Sequence, residues 1–263
     1  MATHVEYLEA IRSARGEWTP TDFSVRPRVF EKRICIASDA HIPYHDEKLL
    51  AYMFTVCEAA GVEAIVWLGD LLDMPHFSGF DQEDKTVQFT RDLDIARRVI
   101  ETAAEIPGML RQYWSRGNHE ARYLRQLRFH VGMTQLARQA GLHDLIDDGD
   151  LFISDNPSLS YLKGEWILTH PHSYGPSPLV VPGKLADKYG AHVISAHAHH
   201  YAHGVSPSGK YTVVETGGLF NPRLHQYKEW QVTIHREWQQ GFWIVDNGVV
   251  TGHRGAYIAK ESA

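Results

Sequence analysis

The chain has 263 residues, long enough to bury a large core and at the upper end for one compact domain. Its 43% apolar composition is ordinary for a globular protein, and no apolar run approaches the roughly 20 residues that a membrane-spanning helix needs, so no membrane partner is expected. A net charge of -6 argues against a general electrostatic grip on nucleic acid and leaves room only for a local basic patch.

Residues 1–32 read as a peripheral segment. The start, MATHVEYLEAIRSARGEW, lacks the basic, apolar, small-residue order of a secretory signal, so cytoplasmic residence is expected. A short amphipathic helix near Val5–Ile11 leads into a connector bearing Pro and Arg. From residue 33 the pattern becomes strand, loop, helix. RICIAS reads as a buried strand, and DEKLLAYMFTVCEAAG as a helix ended by Gly61. AIVWLG is the next strand. The stretch from Gln82 to Ile106 has helical periodicity, with Leu93, Ala96, Val99, Ile100 and Ala103 on one face. RQYWS is a third strand, followed by an Arg-rich helix from about Glu120 to Phe129.

The second half changes character. LSYLKGEWILTH, AHVISAH, KYTVVETG, WQVTIHREW, GFWIVDN and VVTGHR are short, β-branched and aromatic, and most are separated by turn residues. An α/β fold of two packed sheets flanked by helices accounts for both halves. Without an internal repeat or a linker, residues 1–263 read as a single domain, with the motif-bearing core over 33–220 and C-terminal strands over 221–263. Cys35 and Cys57 read as buried small hydrophobes, not a disulfide.

The positions of the polar groups carry the chemistry. Asp39 and His41 follow RICIAS; Gly69, Asp70 and Asp73 follow AIVWL; Gly117, Asn118, His119 and Glu120 follow RQYWS. His170 ends EWILT, and His197 and His199 follow HVIS. Five times, polar groups emerge from the C-terminal end of an apolar strand, the edge over which loops converge in open α/β sheets. Imidazole and carboxylate suit manganese, zinc or ferrous iron, and thiolates are absent from the set. One carboxylate can bridge two cations roughly 3.5–4 Å apart and so activate a shared hydroxide.

DAH at 39–41, GDLLD at 69–73, RGNHE at 116–120, His170 and AHAH at 196–199 resemble the DxH, GDxxD, GNH[DE], lone His and GHxH motifs of the calcineurin-like metallophosphoesterase superfamily. The likeness runs from residue 33 to about 220 and departs at Ala196, where the family has Gly; THPH offers both His170 and His172 as the lone His. It implies a four-layer αββα sandwich and two divalent metal ions, manganese first, with iron, zinc or nickel as alternatives. Asp39, His41, Asp70 and His199 would hold the first ion; Asp70 would bridge to a second, completed by Asn118, His170 and His197. His119 would stabilise charge on the phosphorane and protonate the leaving oxygen, oriented by Asp73. Arg116 and Asn118 would bind substrate phosphate, the Arg as in protein Ser/Thr phosphatases. GDLLDMP lacks the Arg of their GDxxDRG, which tells against a protein phosphatase and favours a phosphodiesterase of nucleotides or nucleic acid.

Blander readings stand beside these. A single DxH or HxH is usually a coincidence of surface residues, and GNHE also suits a helix N-terminus. His4, His45, His76, His130, His143, His225, His235 and His253 read as surface or satisfied core groups, and His200 and His203 as exposed loop residues. Arg122, Arg125 and Arg128 share part of one helix face, a solvated face by default and a phosphate-tracking stripe otherwise. The rival functions are a manganese-dependent nuclease of the double-strand-break repair type, a phosphomonoesterase, and a non-catalytic interaction module on the same fold, for which degenerate ligands would be expected.

Overall fold

The computed structural model describes residues 3–15, 25–77, 89–128, 130–161, 165–224 and 238–255. An exposed helix, α1 (His4–Arg15), comes first, then a two-residue strand, β1 (Arg28–Val29). RICIA forms β2 (Arg33–Ala37). Helix α2 (Glu47–Ala60) starts where the Asp46 carboxylate accepts the Leu49 N–H at 3.0 Å and stops at Gly61, whose φ of 62° only glycine adopts at little cost. After β3 (Ala64–Leu68), α3 (Phe89–Ala104) buries Leu93, Ala96, Ile100 and Ala103 along one stripe; the earlier part of the expected helix, 82–88, lies outside the described residues. Strand β4 (Arg111–Ser115) leads to α4 (Asn118–Gln126), which begins two residues before the expected start because the Glu120 carboxylate accepts the Gly117 N–H and closes the first turn early. Phe129 is outside the described residues.

Two short helices, α5 (Met133–Gln139) and α6 (His143–Asp147), precede β5 (Leu151–Ser154), β6 (Ser158–Tyr161) and β7 (Trp166–Thr169). Helix α7 (Val180–Tyr189) precedes β8 (His192–Ser195), β9 (Tyr201–Val205) and β10 (Thr212–Thr216), and β11 (Gly241–Asp246) and β12 (Val249–Arg254) pair as a hairpin. Of the expected strand WQVTIHREW, with His225 and His235 nearby, all but Trp238 lies outside the described residues.

The strands form two mixed six-stranded sheets, ordered β12-β11-β2-β3-β4-β5 and β1-β6-β7-β8-β10-β9. Alternation along each strand explains the layers. Ile34, Ile36, Val66 and Tyr113 of the first sheet meet Leu159, Leu168, Ile194 and Val214 of the second in a shared core. On the other face of the first sheet, Cys35, Ile65, Trp67 and Trp114 pack under α2, α3 and α5; on that of the second, Ile167, Val193 and Val213 pack on Ala186 of α7. The result is the expected helix, sheet, sheet, helix order. Cys35 and Cys57 are buried free thiols. Among the described residues no helix is long and apolar enough to cross a membrane.

Candidate metal centre

Strands β2, β3 and β4 run parallel, as do β7 and β8, so their C-terminal loops gather on common edges. Those loops turn sharply. Asp39, His41, Asp70, His197 and His199 all adopt left-handed φ, of 50°, 50°, 50°, 79° and 54°. Such a backbone costs a non-glycine residue of order 1–3 kcal/mol, and it concentrates where surrounding structure enforces it at functional sites. Here the enforcement is visible. The Asp39 N–H donates to the Gly69 carbonyl at 3.1 Å and the His41 N–H to the Asp70 carbonyl at 3.0 Å, tying the first loop to the second.

Two donor groups result. In the first, His199 Nε2 lies 3.1 Å from Asp39 Oδ1 and 3.2 Å from His41 Nε2. In the second, His170 Nε2 lies 3.2 Å from Asp70 Oδ2 and 3.0 Å from the Asn118 amide oxygen, with His197 completing the set. A third grouping, His41, Asp70 and His119, joins the two. His170 is buried and its Nδ1 donates to the Leu68 carbonyl at 2.9 Å, which turns Nε2 to the centre; His172 is exposed on the following loop. His41 Nδ1 donates to Asp73 Oδ1 at 2.8 Å, so its Nε2 presents a lone pair to His199.

This donor set fits divalent cations. The two imidazole nitrogens facing each other at 3.2 Å share at most one proton, whereas one cation would take both lone pairs and the Asp39 oxygen together. Electrostatics agree. Burial raises the Asp39 and Asp70 carboxyls, but nearby imidazoles override it: His199 and His170 bring Asp39 down to about 2, and His170 and His119 hold Asp70 well below the usual range. Conversely, burial lowers His170, and the charges of Asp70 and Asp39 lift it to about 10. In His197, burial dominates and lowers the value to about 4. Without cations, His170 and His119 are the imidazoles whose raised values offset the buried acids.

His119 is buried at the first turn of α4, its N–H donating to Asp70 Oδ1 at 2.8 Å. Its Nδ1 donates to the Asp73 carbonyl at 2.5 Å and lies 3.3 Å from the Asp73 carboxylate. Its Nε2 stands 3.8 Å from Asp70 Oδ2. Asp73 therefore serves two imidazoles, His119 and His41; the expected sequence role covered only the first. Burial lowers His119, yet Asp70 and Asp73 raise it to about 9. Arg116 is half-buried at the β4–α4 turn, and its main-chain N–H donates to Ser154.

Two neighbours were given no role at the site by the sequence. The fully buried Glu120 carboxylate accepts the main-chain N–H groups of Asp70 at 3.1 Å, Leu72 at 3.0 Å and Gly117 at 2.9 Å, binding the β3 loop to the helix. Its place at the third residue of α4 was a readable signal for the last of these bonds alone. The Trp238 ring meets His199 edge to face at 4.4 Å, with no sequence signal, since it reaches the centre from the far side of residues 225–237.

The chain is similar to known proteins. A family model described as calcineurin-like phosphoesterase matches residues 32–201. The Gene 54 protein of Mycobacterium phage L5 is 27% identical over 233 residues, covering 80% of this chain and 87% of its own length. That of Mycobacterium phage D29 is 27% identical over 241 residues, covering 81% and 88%. Among solved structures, an archaeal phosphodiesterase has 15% identity and a TM-score of 0.48 over 84% of this chain and 99% of its own. The phosphoesterase Yfce from E. coli has 15% identity and a TM-score of 0.43 over 83% and 91%. Vps29 from Chaetomium thermophilum has 10% identity and a TM-score of 0.45 over 85% and 97%.

Proposed function

The chain belongs to the calcineurin-like phosphoesterase family, and from that membership we propose that it is a metal-dependent hydrolase of phosphate esters, acting through one domain centred on residues 33–220. The observation that carries the reading is the meeting of two donor groups, Asp39–His41–His199 and Asp70–His170–His197, with Asp70 also in reach of His41 and His119. Two divalent cations held by these residues and Asn118, manganese first and iron, zinc or nickel otherwise, would supply Lewis acidity and a water activated near neutral pH.

The protein's own groups do the rest. With Nδ1–H spent on the Asp73 carbonyl, His119 turns Nε2 toward Asp70. Asp70 and Asp73 keep that ring protonated in the cation-free protein, so it is an acid placed to donate to the leaving oxygen and to offset charge on the phosphoryl group. Asp73 fixes the tilt of His41 and His119 together. Arg116 grips a phosphate oxygen. Diesters of nucleotides or nucleic acid are the favoured substrates, because Met74 offers no guanidinium after Asp73 where the family's protein phosphatases carry one.

A panel of activated mono- and diesters, a cyclic nucleotide and DNA under manganese tests this reading. Diester hydrolysis should stop with chelator and return with manganese; activity that survives exhaustive chelation overturns the proposal. His119→Ala should still bind manganese in equilibrium dialysis while losing about 10²–10⁴-fold in turnover. Loss of manganese in that variant would make His119 a ligand instead.

A further inference from the structure

Arg33, Arg97, Arg98 and Arg138 each hold a carboxylate within ion-pair distance. Others do without one among the described residues, as Arg111 and Arg254 do far from the metal centre and as four arginines do near it. Arg116, Arg122, Arg125 and Arg128 have no carboxylate partner among the described residues; Glu120, the acid within α4, spends its oxygens on main-chain N–H groups. Arg122 touches the chemistry directly. It is half-buried one helical turn beyond His119, and its Nη1 lies 3.2 Å from His119 Nδ1. That nitrogen already donates to the Asp73 carbonyl, so a donor faces a donor with no acceptor between them. A guanidinium whose N–H faces another N–H is left unsatisfied, and an arriving anion would accept its hydrogen bonds.

We infer that Arg122 binds a second phosphate on the leaving-group side of the substrate, so that the preferred ester lies within a phosphodiester chain. The inference rests on the diesterase reading above. The side follows from the ring: Nε2 of His119 faces Asp70, and Arg122 adjoins Nδ1, the nitrogen turned away from it. Arg125, three residues on and exposed, lies about 4.5 Å farther along the helix axis and continues the cationic line outward. This is the local basic patch that a net charge of -6 leaves room for.

The test compares two substrates with the same scissile bond: thymidylyl-thymidine, and the same dinucleotide phosphorylated at both ends. In Arg122→Ala, the doubly phosphorylated substrate should show a KM about tenfold higher, the effect of one charge-assisted hydrogen bond. Its kcat should hold, and its kcat/KM advantage over the bare dinucleotide should disappear. Arg122→Lys should restore part of the advantage. An equal loss of kcat on both substrates would mean that Arg122 only props His119, and overturns the inference. If the wild-type protein hydrolyses neither, the diesterase reading fails, and Arg122 is judged by binding of labelled oligothymidylate in chelator. There Arg122→Ala should lower the slope of log affinity against log salt by about 0.7, and an unchanged slope overturns it.

Discussion

Among the described residues Asp92 has both carboxylate oxygens buried without a hydrogen-bond partner, and an imidazole nitrogen, His76 Nε2, lies 3.9 Å away. Burial first, and the Asp73 charge second, raise its pKa to about 7. The sign of the consequence is fixed. An unfolded aspartate ionises near 3.9 while the folded one keeps its proton, so stability is full below about pH 4, falls as pH rises toward 7, and then levels off. Asp92→Asn removes the titration and keeps the shape. In chelator, wild type should therefore lose on the order of 2–4 kcal/mol relative to Asp92→Asn between pH 4 and 8. Parallel pH profiles from chemical denaturation would refute this. Nothing in the sequence marks Asp92, which sits among charged residues of an amphipathic helix. Asp39, Asp70 and His199 were legible because polar groups at the ends of apolar strands have few structural reasons to be there.

At the scale of elements, the centre depends on two loops interlocking. A Cβ at Gly117 would come within 2.1 Å of Asp70 Oδ1 and 2.3 Å of the Asp70 main-chain nitrogen. Gly117 has an ordinary extended backbone, φ -97° and ψ -172°, so alanine there meets no conformational objection, only a steric one. Gly117→Ala should cost about 1–3 kcal/mol of stability and weaken manganese binding together, because it would displace the carboxylate of Asp70, the proposed bridging ligand. Calorimetry of unfolding and of metal binding would check both; normal metal affinity in a destabilised variant would show that the loop moves independently of Asp70. Elements absent from the sequence reading failed for local reasons. Strand β9 lies at a sheet edge and is nowhere fully buried, so it lacks an apolar signature. Helix α7 contains Pro182 and Gly183, both poor helix formers, yet Pro182 falls in the first turn, where its missing N–H is not needed. Helix α3, by contrast, was legible from its single apolar stripe.

For the molecule as a whole, the candidate ligands are divided between the sheets. Asp39, His41, Asp70 and Asn118 follow strands of the first, and His170, His197 and His199 follow strands of the second. The layered fold was readable from the shift between helix-alternating and strand-rich halves, but this division was not, since it depends on which strands pair. Its thermodynamic consequence is specific. Cations bound by donors from both sheets favour only the state in which the sheets are docked, and unfolding must release them. At free manganese a hundredfold above Kd, each site adds about 2.7 kcal/mol, or roughly 5–10 °C in Tm at about 2–4 °C per kcal/mol. The shift should shrink in His170→Ala, which removes a donor of the second sheet, and in Asp39→Asn, which weakens one of the first. If the cations instead rested on the first sheet alone, His170→Ala would leave the manganese-induced shift intact, and scanning calorimetry with and without the ion separates the two arrangements.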